Sequence, residues 1–251
     1  MKNIIVLSQP RTGSNLLCEL FFSYLPIRVL MEFFIYFQDE KDVPHFNLLR
    51  KQELDALVNH FSLQDNSIDS LTTALNQNPR EALEVLSSII SQYKVIKLHD
   101  FMLEQMDLEF IFNDPETKFI VLERTSKLKQ YVSLTTALSL GRWTDVDTTD
   151  IKVHVDPEAF LKFKNESTAW YQMIESKLTS KGHNYLKLTY EQDLENIDYN
   201  VLIPKINNWL DNNNIRYLNN SNYRIKNSIK QNLSSLEDTI TNYDEIKGLI
   251  S

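Results

Sequence analysis

The sequence is poor in glycine, proline and cysteine, and it contains no long apolar run. Of its 251 residues, four are glycine, seven are proline and one, Cys18, is cysteine. A single cysteine excludes an intramolecular disulfide and a zinc cluster built from cysteines, and it indicates a reducing compartment. The apolar stretches fall short of the roughly 20 residues that a membrane-spanning helix needs. Because Met1 stands almost directly before the first predicted strand, we expect no signal peptide and a soluble, cytoplasmic protein.

Positive charge is also scarce. The chain has 26 Lys and Arg against 34 Asp and Glu, which gives a net charge of -8. Proteins that bind nucleic acids or anionic membranes need a basic face, so we expect neither partner, and any anion must be bound by a local cluster of cations. With 42% hydrophobic and 24% charged residues, the chain fits one sizeable core. We therefore predict one domain, 1–251, and leave a homodimer open.

The first part of the chain holds the most informative motif. Residues 4–7 form a short apolar run that is typical of a buried parallel strand, and apolar residues recur at helical spacing over 16–24. Between them lies the turn SQPRTGSN, residues 8–15. A strand that enters a helix through such a turn aims backbone N–H groups and the positive end of the helix dipole at one point. This predicts a phosphate or sulfate site, and a purely structural turn is the alternative.

The turn differs from the phosphate-binding loop G-x-x-x-x-G-K-[ST]. Gly13 is kept, but Ser8 stands at the first glycine, Ser14 at the lysine and Asn15 at the residue whose hydroxyl holds Mg²⁺. The cation is Arg11, inside the loop. These changes disfavour a magnesium–triphosphate enzyme and favour an anion site without metal. In a chain with so few glycines, we expect Gly13 to lie where a Cβ would block the ligand.

Three further places offer chemistry. Glu32 interrupts the apolar stretch 26–37; it either faces solvent, which the pattern favours, or is desolvated and suited to acid–base work. A predicted strand at 94–99 ends with Lys97 and His99, which would lie at the ligand-binding end of a parallel sheet. His99 has a base's chemistry at neutral pH, although a structural histidine is the alternative that the pattern favours. Arg124 follows a third strand, 118–122, and is placed for bidentate phosphate binding or an ordinary ion pair.

The remaining segments predict helices around one more strand. A helix over 127–140 ends at Gly141, a long helix begins at Pro157 and runs toward residue 182, and a fourth strand is predicted at 184–189 before a helix at 204–210. Residues 40–92 are interpreted as a helical insertion that covers the sheet or shapes an acceptor pocket. Within it, Asn78 and Pro79 indicate a helix start.

Taken together, these segments resemble sulfotransferases that use 3′-phosphoadenosine 5′-phosphosulfate (PAPS), and most closely the bacterial carbohydrate sulfotransferases of the trehalose-acting type. Residues 10–17, PRTGSNLL, are similar to the family's 5′-phosphosulfate loop, and residues 31–34, MEFF, to a segment whose glutamate is the proposed base. Arg124 and Ser133, nine positions apart, are similar to its 3′-phosphate motif. Residues 188–191, LTYE, resemble a segment whose tyrosine lies near the adenine, and Lys230 resembles a C-terminal contact to the 3′-phosphate.

The resemblance implies a three-layer, P-loop-like α/β fold with a central parallel sheet flanked by helices. It also implies sulfuryl transfer from PAPS, without metal, to a hydroxyl on a small-molecule or glycan acceptor such as a carbohydrate or glycolipid. Asn15 stands where the family usually has threonine. Lys97 and His99 resemble the Lys-x-His of cytosolic small-molecule sulfotransferases, in which the histidine is the base, so Glu32 and His99 both remain candidate bases. The residues implied for binding PAPS are Arg11, Thr12, Gly13, Ser14, Asn15, Arg124, Ser133, Tyr190 and Lys230, and those implied for catalysis are Glu32, His99, Lys97 and Arg11.

Two other functions remain open at this point. A kinase of nucleotides or small molecules with a degenerate loop would bind Mg–ATP. A non-catalytic nucleotide-binding protein would bind the same nucleotide as a sulfotransferase and transfer nothing.

Overall fold

In the part of the chain that the structure describes, five parallel strands form the central sheet. The computed structural model describes residues 2–34, 49–64, 67–143, 148, 150–210 and 235–249. Within these residues the strands are β1 (Asn3–Ser8), β2 (Arg28–Met31), β3 (Lys94–Leu98), β4 (Lys118–Glu123) and β5 (Leu186–Thr189). They lie side by side in the order β2-β3-β1-β4-β5, and every neighbouring pair is parallel. Their C-terminal ends therefore lie along one edge, called here the carboxyl edge, which is where open parallel sheets bind ligands.

Helices cover both faces of this sheet. Side chains of a strand alternate between its two faces, and in β1 Ile5 and Leu7 belong to one buried cluster while Ile4 and Val6 belong to another. The helices of the described residues are α1 (Ser14–Tyr24), α2 (Lys51–His60), α3 (Ile68–Gln77), α4 (Pro79–Ile89), α5 (Asp100–Gln105), α6 (Glu109–Asn113), α7 (Lys127–Leu140), α8 (Pro157–Ser180), α9 (Tyr199–Trp209), α10 (Leu236–Thr239) and α11 (Tyr243–Ile246). The first cluster includes residues of α2 to α6 and of α8, and the second includes residues of α1 and α9.

This architecture confirms the predicted α/β fold of three layers with a parallel central sheet. The predicted strands near residues 4, 94, 118 and 186 are present, and α7 has the predicted bounds and ends at Gly141 in the left-handed region, φ 62°. The described part of the 40–92 segment is mainly helical and contains α2, α3 and α4. In the described ranges, no helix is both long and apolar enough to cross a bilayer.

One strand, β2, was not predicted. The stretch is short and contains Arg28, a residue that is out of place in a buried strand unless it is paired. The structure supplies the partner: Arg28 Nε and Nη2 donate to the two carboxylate oxygens of Glu53 on α2, at 2.8 and 2.6 Å, and both side chains are buried. This ion pair attaches α2, and with it the helical insertion, to the strand that leads to Glu32.

The start of α4 at Pro79 confirms the prediction, and the start of α9 differs from it. Asn78 precedes Pro79 as expected, but its side chain does not cap α4 and instead donates back to the Ala74 carbonyl oxygen at 3.3 Å. Helix α9 begins at Tyr199, earlier than predicted, because Asp198 caps it by accepting from the Asn200 N–H at 2.9 Å. Pro204 lies inside this helix and does not begin it.

Candidate functional site

The predicted site residues line up along the carboxyl edge. Neighbouring strands are about 4.8 Å apart, so the edge from β2 to β5 extends over about 19 Å. In spatial order along this edge, Glu32 follows β2, Lys97 and His99 lie at the end of β3, the loop 9–13 follows β1, Arg124 follows β4 and Tyr190 follows β5. These segments follow one another in a different order along the sequence, so it is the order of the strands in the sheet that brings them into this row.

The loop 9–13 joins β1 to α1 in a tightly turned conformation. Arg11 and Gly13 both have positive φ, 66° and 84°. Helix α1 begins at Ser14 without a side-chain hydrogen bond to its N-terminus and without an acidic residue in its first turn. The backbone N–H groups of this turn and the positive end of the helix dipole are therefore directed at the row, as an anion site requires.

Gly13 is required for a reason that differs from the sequence-based expectation. A Cβ at this position would lie 2.6 Å from Cδ2 of Tyr190, far inside van der Waals contact. The positive φ of 84° adds a conformational penalty for any other residue. The structure thus corrects the expectation that a Cβ would meet the ligand, since it would meet an aromatic ring of the protein.

A buried polar network supports the loop from below, and the sequence did not reveal it. Gln9 donates from Nε2 to Asp100 at 2.8 Å and accepts at Oε1 from the Ser167 hydroxyl at 2.5 Å. Its backbone N–H donates to the Tyr171 hydroxyl at 3.2 Å, and that hydroxyl donates to the Leu122 carbonyl oxygen at 2.9 Å. The sequence offers one sign of this network, since Gln9 is a polar residue directly after a buried strand. Its partners could not be predicted because they lie on α5 and α8, far away in the sequence. The network fixes the loop to the ends of β3 and β4.

A cluster of two arginines lies on the β4 side of the loop. Arg11 donates from Nε to the Ser133 hydroxyl at 2.9 Å and from Nη1 to the Trp143 carbonyl oxygen at 2.5 Å. Arg124 donates from Nη1 to the carbonyl oxygen of Arg11 at 3.1 Å. Burial and the neighbouring Arg124 guanidinium lower the pKa of Arg11 to about 10. Arg124 and Ser133, which are predicted to bind the 3′-phosphate, thus both contact Arg11, which is predicted to bind the 5′-phosphosulfate.

Tyr190 and Glu191 hold Arg124 from the β5 side. Both belong to a short π-helical turn, Tyr190–Leu194, that follows β5 directly. The Arg124 guanidinium carbon lies 4.8 Å from the centroid of the Tyr190 ring. Glu191 accepts from the N–H groups of Thr125 and Ser126, at 2.9 and 3.0 Å, and so caps the N-terminus of α7, while it lies 3.9 Å from Arg124 Nε. Glu191 belongs to the segment 188–191 that resembles the sulfotransferases, but the sequence did not predict its contacts with the start of α7 and with Arg124.

An acid–base cluster lies on the β3 side of the loop. Lys97 pairs with the Glu32 carboxylate and also donates to the side-chain carbonyl of Asn15, which connects the cluster to the first turn of α1. His99 Nδ1 donates to the Ser8 carbonyl oxygen at 2.9 Å, and its Nε2 lies 3.7 Å from the nearer Glu32 oxygen. Since a carbonyl oxygen can only accept, the contact assigns the Nδ1 proton and leaves Nε2 as the atom that can take up another.

Glu32 does not face solvent, so the interpretation that the pattern favoured is wrong. Its side chain is 21% exposed and is directed at Lys97 and His99. Burial alone raises the pKa of Glu32, but Lys97 and then His99 outweigh it and hold the pKa at about 2. Met31, with φ 47°, and a register shift between Val29 and Met31 turn the chain at this point and direct the carboxylate along the edge. Both candidate bases therefore belong to one cluster.

The structure brings together nearly all of the predicted residues. Lys230 is the exception, because it lies outside the described residues. Within the described residues, no group of three or more His, Cys, Asp or Glu side chains is arranged to hold a metal ion.

Comparisons with known proteins give a distant structural likeness. No family model matches the chain, and no curated protein matches it. A solved structure of retinol dehydratase in a complex with retinol and PAP is similar at 16% sequence identity, with a TM-score of 0.39. The similarity covers 84% of this chain and 59% of that one, so the chain spans about three fifths of the length of that structure.

Proposed function

We propose that this protein transfers the sulfuryl group of PAPS to a hydroxyl group of an acceptor. The proposal rests on one observation: a single loop after β1 joins a cluster suited to a 3′-phosphate to a cluster suited to acid–base chemistry. Arg11 of the loop donates to Ser133 at 2.9 Å, and Asn15, which follows the loop, accepts from Lys97. PAPS carries a phosphate and a phosphosulfate on one ribose, so its two anionic groups match the arginine cluster and the neighbouring anion site formed by the loop and the N-terminus of α1.

The arginine cluster fits an anion. Arg124 Nε is buried and makes no hydrogen bond within the described residues, with the nearest carboxylate oxygen, of Glu191, at 3.9 Å. Buried donors in native structures are nearly always satisfied, and a guanidinium binds phosphate through paired N–H groups. A 3′-phosphate beside Arg124 and Ser133 would supply acceptors for this donor and offset the mutual repulsion of the two guanidiniums.

His99 is the better base of the two candidates in this arrangement. A pKa of about 2 makes the Glu32 carboxylate a weak proton acceptor at neutral pH, and its oxygen is already engaged by Lys97. His99 is oriented by Ser8, with Nε2 on the side of the cluster. We assign proton uptake to His99 Nε2 and assign to Glu32 the task of placing Lys97 and stabilising the imidazolium that forms.

The transfer step follows from these positions. The acceptor O–H bond breaks as its proton passes to His99 Nε2, and the oxygen forms a bond to sulfur. The bond between sulfur and the 5′-phosphate oxygen breaks, and adenosine 3′,5′-bisphosphate leaves with the electron pair. Lys97, Arg11 and the N–H groups of the first turn of α1 stabilise the charge that grows on the 5′-phosphate. The acceptor that the family resemblance implies is a carbohydrate or glycolipid.

The test is product formation from PAPS with the full chain. Mass spectrometry of reactions with panels of saccharides, glycolipids and small alcohols should identify a sulfated product and an equal amount of adenosine 3′,5′-bisphosphate. Transfer of a phosphoryl group from Mg–ATP would instead support a kinase. Binding of adenosine 3′,5′-bisphosphate without transfer to any hydroxyl would support a non-catalytic nucleotide-binding protein.

Two variants test the assignment of the base. His99→Gln should lower kcat about 10²- to 10⁴-fold, the usual contribution of a general base. Glu32→Gln should lower kcat less, because the imidazole remains. The exposed His154 offers a matched control, since His154→Gln should leave the rate unchanged. A larger loss in Glu32→Gln than in His99→Gln would contradict the assignment.

A further inference from the structure

The ring of Tyr190 contacts residues of both halves of the nucleotide site. It occupies the space that a Cβ of Gly13 would need, with Cδ2 at 2.6 Å from that position and Cε2 at 3.0 Å. The Arg124 guanidinium also lies over the ring, 4.8 Å from the centroid. One side chain therefore contacts the phosphosulfate loop and the arginine of the 3′-phosphate cluster together.

The turn that bears Tyr190 is itself well anchored. The Thr189 N–H donates to the Asp193 carboxylate at 2.8 Å, and the Glu195 N–H donates to the Tyr190 carbonyl oxygen at 2.7 Å. Leu194 of the same turn is buried in the core cluster that includes α1. Short π-helical turns occur frequently at functional sites. The ring consequently has a defined place, and it can restrict the rotamers of the long Arg124 side chain.

We infer that Tyr190 is a positioning residue that makes the site selective for 3′-phosphorylated nucleotides by holding Arg124 against the loop; this inference rests on the proposed function. The aromatic ring does this through its cation–π contact, and the hydroxyl is not needed, since it makes no hydrogen bond to the described residues. The assignment differs from the role that the family resemblance implies, which is contact with the adenine. With one face covered by the guanidinium, the ring acts on the nucleotide through Arg124.

The inference predicts a selective loss of affinity. Without the ring, Arg124 keeps its hydrogen bond to the Arg11 carbonyl oxygen but is held less firmly in its binding rotamer, so only a ligand with a 3′-phosphate should bind more weakly. Loss of a partly desolvated cation–π contact corresponds to about a 3- to 30-fold change in Kd. Phenylalanine retains the π-face and should restore binding, whereas leucine fills the space over Gly13 without a π-face.

The experiment is a calorimetric titration of the full chain with adenosine 3′,5′-bisphosphate and with adenosine 5′-monophosphate. Tyr190→Leu should raise the Kd for the bisphosphate about 3- to 30-fold and change that for the monophosphate less than about twofold, and Tyr190→Phe should bind both like the wild type. In an Arg124→Ala background, Tyr190→Leu should add little, because coupled residues are not additive. Tyr199→Leu is a matched control, since this tyrosine stacks on Tyr24 instead of an arginine.

Each other outcome overturns the inference in a distinct way. Equal losses for both nucleotides in Tyr190→Leu would indicate stacking on the adenine, and a loss in Tyr190→Phe would indicate that the hydroxyl contacts the ligand. Either result leaves the proposed function intact, provided that the wild type prefers the bisphosphate. A wild type that does not distinguish the two nucleotides would overturn the proposed function and the inference with it.

Discussion

Replacing Glu32 with glutamine should destabilise the protein by about 3 kcal/mol. The pKa of Glu32 lies at about 2, below its ordinary value of 4.5, because Lys97 and His99 outweigh the effect of burial. At ~1.36 kcal/mol per pH unit, this difference means that the folded protein favours the ionised carboxylate by about 3 kcal/mol. Glutamine resembles the protonated form, so it loses this stabilisation while the buried Lys97 stays in place.

The stabilisation has a definite pH dependence. Because the pKa of Glu32 is lower in the folded chain than in the unfolded chain, the contribution is complete above about pH 5 and is lost as the pH falls from 4.5 toward about 2. Above about pH 5, the stability difference between wild type and Glu32→Gln should therefore contain this contribution in full. Below pH 4.5 it should narrow by about 1.4 kcal/mol per pH unit.

Urea denaturation of both proteins at pH 7 and at stepwise lower pH measures these quantities. The double variant Glu32→Gln/Lys97→Met is the control for the stranded charge, and it should be more stable than Glu32→Gln alone, because no uncompensated cation remains buried. A loss of less than about 1 kcal/mol at pH 7, or a difference that does not change below pH 4.5, would refute the reasoning. Either result would mean that Glu32 and Lys97 do not form the pair described.

Three further perturbations have clear expected outcomes. A positive φ costs a residue other than glycine about 1–2 kcal/mol, and Gly13→Ala should lower the free energy of unfolding by more than this, because its Cβ would also collide with Tyr190. Gly182→Ala is the control: it has φ 75° with open space around it, so thermal denaturation should show only the conformational cost. Glu53→Gln should lower the free energy of unfolding by about 3–5 kcal/mol, because it leaves Arg28 buried without its carboxylate. In urea denaturation, the double variant Glu53→Gln/Arg28→Met should recover part of this loss. Arg124→Ala should weaken the binding of adenosine 3′,5′-bisphosphate by about 2–3 kcal/mol, as measured by calorimetry. An unchanged Kd would contradict the role of Arg124 in binding the 3′-phosphate.

Local patterns were sufficient to predict most of the fold. The apolar run at 4–7 and the glycine after α7 act through hydrogen bonds and packing within a few residues, so the sequence predicts β1 and the end of α7 well. Strand β2 was missed because its stability depends on Arg28 meeting Glu53, 25 residues away. A pairing at that distance has no signature in the local pattern, and without it an arginine argues against a buried strand.

The same distinction applies to the candidate site. Parallel strands place their C-terminal ends at one edge, so the sequence could predict that Lys97 and His99 emerge near the loop. It could not predict that Glu32 faces them, since this depends on the turn at Met31 and on the order of β2 and β3 in the sheet. The support of the loop by Gln9 was likewise invisible, because its partners come from α5 and α8.

The central claim is that the row along the carboxyl edge binds one adenosine nucleotide by a 3′-phosphate and a 5′-anion. The most direct measurement is a calorimetric titration of the full chain with adenosine 3′,5′-bisphosphate, with and without EDTA, beside parallel titrations with adenosine 5′-monophosphate and Mg–ATP. We expect the bisphosphate to bind at least about 30-fold more tightly than the monophosphate, a ratio that corresponds to about 2 kcal/mol for the charge-assisted 3′-phosphate contacts, and to bind equally well in EDTA. Equal affinity for the two adenosine phosphates, or tighter binding of Mg–ATP, would contradict the claim.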